Sequence, residues 1–322
     1  MVPSDEVAQY QLMSQLPFRH FGMAAWPLHS IGVTLMDVRQ FLLIPASFFA
    51  VLLLLLIIRQ NPADAESTGQ PERNLNGAPQ QLLQQFVDEC ITITPGDEAF
   101  PAEFQFGPVH SGEETNLTTR SVGMRGAFRI CRYETTQELY DHVMGQNPSR
   151  WKGPRNSVEY VSFDDASRFC ERLTPLLRQA DLISKDEHVR LPTEEEWEYC
   201  CRAGTTSLFS FATSGNDPNQ PHPEADKYAW HTGNAAGNDP PVGALTANPW
   251  GLYDMHGYLW EFTSGSFQQT GNDSRSGAMR VIRGGSWRDH VSLLTSAARL
   301  GIPTHAVSDA IGFRCVIDST ED

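Results

Sequence analysis

Three stretches of this chain set apolar residues three and four positions apart behind a helix-start signal, the repeat that puts them on one face of an α-helix. Thr135-Thr-Gln-Glu138 has the form of a capping box, in which the Thr hydroxyl accepts the N3 amide and the Glu reaches back to the N-cap amide. Leu139, Val143 and Met144 then share a face before Gly145. A second helix is expected after Ser162, with Ala166, Phe169, Cys170 and Leu173 inward and a break or bend near Pro175. The third opens at Leu191-Pro-Thr-Glu-Glu-Glu196, again a capping box from Thr193 to Glu196, buries Trp197 and Cys201, and stops at Gly204. Elsewhere the apolar runs are short and divided by Gly, Pro, Asn and Trp, with no repeat of fixed period, so the other elements should be short strands and turns. The pattern predicts a compact, loop-rich α+β domain.

The N-terminal part follows a different pattern. After an extension over residues 1–40, Phe41 to Ile58 carries no charge, is bracketed by Arg39 and Arg59, and is long enough to cross a bilayer. Translation from Met36 would instead make Met-Asp-Val-Arg a short basic n-region, the apolar run an h-region and Ala63-Asp-Ala65 a small-residue cleavage site. The anchor and the signal both put the remainder outside the cytoplasm, either membrane-anchored or secreted. Residues 59–85 are rich in Pro, Gln, Asn and Gly and should act as a flexible linker. The folded domain is then expected over residues 86–322.

Charge narrows the partners. The net charge of −15 comes without a Lys/Arg cluster, which excludes nucleic acid and an anionic membrane surface as partners of the folded part. The six cysteines, at 90, 131, 170, 200, 201 and 315, include no C-x-x-C pair that would suggest zinc or a dithiol redox motif. An exported location permits disulfides. Adjacent Cys200 and Cys201 cannot bridge each other without strain, and Cys200 is expected to be a small buried hydrophobe.

Short motifs then carry a resemblance. Phe128-Arg-Ile-Cys-Arg-Tyr-Glu-Thr-Thr136 is followed by Met144-Gly-Gln-Asn-Pro-Ser-Arg-Trp151 and Arg190-Leu-Pro-Thr-Glu-Glu-Glu-Trp-Glu-Tyr199. Next come Gly233-Asn-Ala235, Val242-Gly243, Asn248-Pro-Trp-Gly-Leu-Tyr-Asp-Met255, Trp260-Glu261, Arg283-Gly-Gly-Ser-Trp287, Ser296-Ala-Ala-Arg299 and Ile311-Gly-Phe-Arg-Cys315. Each is weak alone, but their order over roughly residues 125 to 318 resembles the formylglycine-generating enzyme (sulfatase-modifying factor) family. The resemblance implies that family's α+β fold, with low regular secondary structure and a distant C-type-lectin-like relationship. A fold with few long elements needs other fixings, and Trp151, Trp197, Trp230, Trp250, Trp260 and Trp287 offer large buried areas, Trp197 and Trp260 being read as structural.

The same resemblance argues against the family's chemistry. Its oxidase makes formylglycine from a substrate cysteine with oxygen and Cu(I) held by two thiolates. Here the two thiolate positions fall on Asp289 and Leu294, and no cysteine lies between 202 and 314. Hard or apolar side chains do not replace soft ligands, so no copper is expected. Ser286, Asp289, His290 and Arg299 remain as catalytic candidates, Asp289 and His290 as an acid/base pair, although neighbours in a loop or strand commonly point apart. His222 and His231 read as surface loop residues. For calcium, the resemblance implies one structural site with Asn234 and Asp239 as candidate ligands. A second is lost because Tyr258 replaces the ligand Asn. It also implies a Cys170–Cys315 disulfide, closing a loop of about 145 residues and stabilising the fold by several kcal/mol, while Cys201 lacks its partner because that position is Ser296. The expected function is an exported binding or accessory module for a peptide, glycan or protein ligand. The alternative is an enzyme of the same superfamily using another metal near Asp289 and His290.

Overall fold

The computed structural model describes residues 77–108, 118–211, 223–235, 239–267 and 278–319. The apolar run 41–58, Met36, Ala63-Asp-Ala65, His222 and most of the expected linker lie outside them. Among the described residues no helix is long and apolar enough to cross a membrane.

Helix α1 (Gly77–Asp88) opens the described part, inside the stretch expected to be a linker. Glutamines flank its apolar residues, yet Leu82, Leu83, Phe86 and Val87 share one face, and Leu83 and Phe86 are buried in the main core. The chain then runs through β1 (Cys90–Ile93), β2 (Glu103–Phe106), β3 (Arg120–Gly123), β4 (Phe128–Cys131), α2 (Gln137–Met144), α3 (Phe163–Gln179), β5 (Glu187–Arg190) and α4 (Glu194–Arg202). It continues through α5 (Ala225–Tyr228), β6 (Trp260–Ser266), β7 (Met279–Arg283), a 3-10 turn (Val291–Leu293), β8 (Arg299–Pro303), β9 (Ile311–Gly312) and β10 (Val316–Ser319). This is the expected loop-rich α+β architecture.

The three expected helices form with different starts. Ser162 caps α3 in a reciprocal box with Asp165, and Thr193 caps α4 in the box with Glu196. No such box forms at Thr135. Helix α2 starts after Thr136, which makes no side-chain cap bond, because Thr135 is drawn into the core: its amide donates to the Phe313 carbonyl at 2.8 Å. Helix α3 runs on past Pro175 to Gln179. Pro175 lies on the exposed side, and the helix is held from its inner face by Phe169, Leu173 and Leu177, all fully buried.

Two four-stranded sheets carry the frame. One has the order β1-β4-β10-β5 and is antiparallel throughout; the other has the order β8-β7-β6-β9, with β6 and β9 parallel. Strands β2 and β3 form a separate antiparallel ribbon. The main core lies between the first sheet and helices α2 and α3, where Tyr140 stacks on Phe169 at 5.5 Å and Phe169 meets the Phe313 edge at 5.3 Å. Helix α4 touches β2, β6 and β7, and Trp197 on its inner face is fully buried in a second cluster with Tyr199, Cys200, Cys201 and Met255. Of the tryptophans expected to be buried, Trp151 is 47 % exposed. It sits in the loop after α2, and the Arg150 guanidinium covers its ring at 4.9 Å. Trp197 and Trp260 are buried, each with its indole N–H bonded to a carboxylate.

Candidate functional site

The segment that would hold a thiolate pair leaves β7 through Gly284 and Gly285, both at positive φ (96° and 79°). Two left-handed residues in succession reverse the chain, and a Cβ on Gly285 would run into the Leu294 side chain. The turn delivers Asp289 to the Trp260 indole. One oxygen, Oδ2, accepts from Trp260 Nε1 at 2.8 Å, from the Ser286 amide at 2.8 Å and from Ser286 Oγ at 2.7 Å. The Asp289 backbone carbonyl accepts from the Thr232 amide at 3.0 Å. Asp289 is thus a clamp on one wall of the loop.

Its neighbour goes elsewhere. His290 is exposed and caps the 3-10 turn, its Nδ1 within 2.9 Å of Ser292 Oγ and accepting the Ser292 amide at 3.3 Å. Leu294 is fully buried in an apolar cluster with Leu208, Phe209, Phe211 and Val291. Ser286 is buried against Asp289, and its Oγ also accepts the Arg288 amide. Arg299 belongs to another group, its Nε donating to Glu194 Oε1 at 2.5 Å while its guanidinium lies 4.6 Å above Phe267. The structure therefore joins Ser286 to Asp289 and gives His290 and Arg299 separate partners. Neither thiolate position offers copper a soft ligand, and Leu294 offers no donor atom at all, so the residues present do not fit that metal.

The calcium candidates are also engaged. Asn234 Oδ1 accepts the His231 amide at 2.9 Å, and its Nδ2 donates to the Ala229 carbonyl at 2.9 Å. Asp239 Oδ2 accepts Asn156 Nδ2 at 2.5 Å and its Oδ1 faces the Tyr258 hydroxyl at 3.4 Å. Among the described residues no group of three or more His, Cys, Asp or Glu side chains is arranged to hold a metal ion. His231 is buried rather than superficial: its Nε2 lies 2.8 Å from Asp226 and its Nδ1 accepts the Gly233 amide, which fixes the loop after α5. Cys170 and Cys315 face each other as thiols, their sulfurs 3.8 Å apart.

Motif arginines turn out to be the centre of the fold. Arg283 is fully buried; its Nη2 pairs with Glu198 Oε2, and its Nη1 reaches Glu194 Oε1 at 3.3 Å. Glu198 Oε1 accepts Arg202 Nε and the Gly107 amide, each at 2.8 Å. Arg314, also fully buried, donates to both oxygens of Glu261 at 2.7 Å, and Glu261 Oε2 further accepts Trp197 Nε1 at 2.9 Å. Buried charges survive only when paired in this way, and Arg314 is satisfied throughout whereas the buried Nε of Arg283 is left without a partner. Two further acids face this pair. Burial, then the nearby Glu261 and Asp254, pushes Glu134 well above the usual carboxylate range. Burial pushes Asp254 up to about 6, although its carboxylate accepts the Gly243 amide and the Arg314 charge opposes the shift.

His256 completes the buried polar set. Its Nδ1 lies 2.8 Å from the Leu294 carbonyl, which can only accept, so Nδ1 carries the hydrogen and Nε2 accepts from the Ser210 amide at 3.2 Å and from its hydroxyl at 2.8 Å. Burial, reinforced by the Arg202 charge, lowers its pKa to about 4 despite the Leu294 bond. The sequence reading missed Glu134, Glu194, Glu198, Asp254 and His256 as site residues. Glu134, Glu194, Glu198 and Asp254 were signalled only by lying inside the quoted motifs, and His256 only by following Met255.

One surface differs from the rest. The described large apolar residues that stay exposed are Trp151, Tyr160, Leu293 and Val307. Three of them surround buried Asp309: Val307 is two residues before it, the Tyr160 amide donates to the Ser308 carbonyl, and Arg150 beside Trp151 reaches Asp309 Oδ2 at 3.5 Å. Arg288 also pairs with Asp309, at 2.6 Å, and covers the Trp287 ring at 4.7 Å. Tyr160 holds a left-handed φ of 60°, unusual for an aromatic residue.

This frame of short strands, motif arginines and a Gly-Gly turn is that of a sulfatase-modifying factor enzyme domain. The sulfatase-modifying factor enzyme 1-like domain family matches residues 76–319, and the chain belongs to it. A chaperone protein LppX of Paenibacillus barcinonensis is 31 % identical over 212 residues, covering 51 % of this chain and 71 % of that protein. In mouse, the inactive C-alpha-formylglycine-generating enzyme 2 is 32 % identical over 173 residues, covering 49 % of this chain and 48 % of its own. The mouse formylglycine-generating enzyme is 31 % identical over 199 residues, covering 55 % and 48 %. The chain spans about half the length of these mouse relatives. Among solved structures, Treponema denticola variable protein 1 shares the fold with a TM-score of 0.56 at 24 % identity, covering 69 % of this chain and 99 % of that one. PvdO of Pseudomonas aeruginosa does so with a TM-score of 0.55 at 23 % identity, covering 71 % and 94 %.

Proposed function

We propose that this chain is a non-oxidising member of its family, an exported accessory module that binds a segment of another protein. The carrying observation is the state of the two thiolate positions. One oxygen of Asp289 takes three donors from Trp260 and Ser286, and Leu294 is sealed in an apolar cluster. An acid/base reaction at Asp289 and His290 would need both side chains on one substrate, and their partners lie apart. A mouse relative is itself named inactive and a bacterial one is named a chaperone, in keeping with a binding role.

The surface around Asp309 supplies a place to bind. Trp, Tyr and Arg carry most of the energy at protein interfaces, and here Trp151, Tyr160, Arg150 and Arg288 stand together on the outside. Arg150 and Arg288 both reach the buried Asp309 carboxylate while their side chains stay 56 % and 42 % exposed, so both guanidiniums remain open to a partner. The partner segment should therefore carry a carboxylate beside an apolar or aromatic residue. Its test begins with the family reaction. Purified protein given Cu(I), oxygen and a cysteine peptide bearing the sulfatase motif should leave the cysteine intact by mass spectrometry, and appearance of the aldehyde, 18 Da lighter (about, from loss of sulfur and gain of oxygen with two fewer hydrogens), would overturn the reading.

A further inference from the structure

Cys90 and Cys131 sit directly opposite each other on the antiparallel strands β1 and β4. The Arg132 amide donates to the Glu89 carbonyl, while the Cys131 amide turns away to the Cys315 carbonyl. The two cysteines therefore occupy a non-hydrogen-bonded pair, where Cα atoms lie about 4.5 Å apart and side chains approach most closely. That spacing falls inside the disulfide range of about 4.4–6.8 Å. In the structure both are thiols with their sulfurs 2.9 Å apart. Cys90 is partly exposed and Cys131 is buried.

We propose that Cys90 and Cys131 form a redox-modified pair, a disulfide staple that locks the α1–β1 edge onto the central strand β4. The step is a thiol–disulfide exchange with an oxidised dithiol or a small-molecule disulfide. Cys90, the reachable sulfur, attacks the oxidant as thiolate and releases one oxidant thiol. Cys131 loses its proton and displaces the second, so that two protein thiols become one disulfide and the oxidant disulfide becomes two thiols. Burial and the bond with Cys90 hold the Cys131 thiol protonated, which makes it a poor leaving group and the finished staple slow to reduce. The staple is placed where it matters. Phe86 and Glu89 on one side and Cys131, Glu134 and Arg155 on the other line a cavity of about 20 Å³. The bond fixes the first side to the second.

Peptide mapping tests the pairing without any substitution. The full chain is equilibrated in a glutathione buffer poised to oxidise, alkylated while unfolded, digested without reduction and read by mass spectrometry. A linked peptide joining Cys90 to Cys131 is the expected result. Alkylation of both as free thiols, or a Cys131–Cys315 link in their place, overturns the proposal. The second measurement uses a Cys170→Ala background, so that the other facing pair contributes nothing. There, dithiothreitol should lower Tm by about 10 °C, the effect of reopening a loop of about 40 residues in a domain of this size. Adding Cys90→Ala should remove that sensitivity. An equal drop with and without Cys90 overturns the proposal, and neither result depends on whether the protein oxidises a peptide.

Discussion

His256 links the acid stability of the fold to the loop that carries Leu294. Its ring is sealed from solvent, donates from Nδ1 to the Leu294 carbonyl and accepts at Nε2 from Ser210, so protonation at Nε2 would place a buried charge against two donors. The folded state holds the ring neutral down to about pH 4, whereas a free histidine titrates near 6.5. Between those values the unfolded chain binds the extra proton and the native state does not, so stability falls as pH falls, and is fully present above 6.5. A gap of about 2.5 units at about 1.4 kcal/mol each amounts to ~3 kcal/mol over that range. His256→Asn keeps a donor near Nδ1 but leaves the Ser210 amide without its acceptor, at a cost of about 1–3 kcal/mol at pH 7.5. The variant loses the titrating group, so the difference between the two proteins should shrink as pH is lowered from 6.5 toward 4. Urea unfolding followed by tryptophan fluorescence at half-unit pH steps reads this difference directly. Parallel stability curves, or a ring titrating above pH 6 in the folded protein by NMR, would refute the assignment of His256 as a buried neutral donor and acceptor.

Other groups make separate predictions. Asp254→Asn should do the reverse of His256→Asn: the native state holds this proton up to about pH 6 against 3.8 for a free aspartate, so wild-type stability from this group falls by ~3 kcal/mol as pH rises through that range, and the variant should lack the fall in the same urea series. Glu198→Gln leaves the Arg283 and Arg202 guanidiniums buried without their shared carboxylate and should cost about 3–5 kcal/mol in urea unfolding, an unchanged midpoint being the contrary result. Asp289→Ala frees the Trp260 indole and the Ser286 amide together, and should cost about 2–4 kcal/mol with a red-shifted tryptophan emission. Arg288→Ala, at the exposed rim, should leave Tm within about 2 °C of wild type while weakening capture of an acidic, aromatic peptide, and equal capture would remove that surface from the proposed function.

Local signals were legible in the sequence where local physics decides the outcome. The boxes at Ser162 and Thr193 form because each cap and its acid lie three residues apart, and the acids keep the cap even while Glu196 also pairs with Arg190 and Asp165 with Arg168. The similar string at Thr135 fails because tertiary contacts with Phe313 and Cys315 claim that residue first. Helix α1 was hidden by the glutamines around its four apolar residues, whose spacing gains meaning only when a core exists to receive them. The buried charges were not readable at all. Glu198 and Arg283 are 85 positions apart, as are no two residues of any motif, and nothing local marks them as a pair. For Asp289 the sequence showed an acid where a thiolate is expected, but only the fold shows Trp260 and Ser286 supplying its three donors.

That last point explains how the frame accommodates an acid and a leucine at the two positions where the resemblance implies thiolates. A carboxylate withdrawn from water without donors would ordinarily be a stranded charge costing several kcal/mol. Here an indole N–H, an amide and a hydroxyl converge on one oxygen, so Asp289 fastens the loop to β6 instead of destabilising it. The leucine five residues on fills its own pocket, and the carbonyl of the same residue is held by His256. The two positions have thus become structural in different ways, one polar and one apolar. Replacing both by cysteine would leave the Trp260 and Ser286 donors unmatched and a cavity among Leu208, Phe209 and Val291, so recovering the ligands costs the loop that must present them. The arginines at the heart of the motifs, Arg283 and Arg314, hold the sheets and α4 in place whichever residues occupy those positions. The motifs therefore report the scaffold, and the chemistry has to be read from the loop between them.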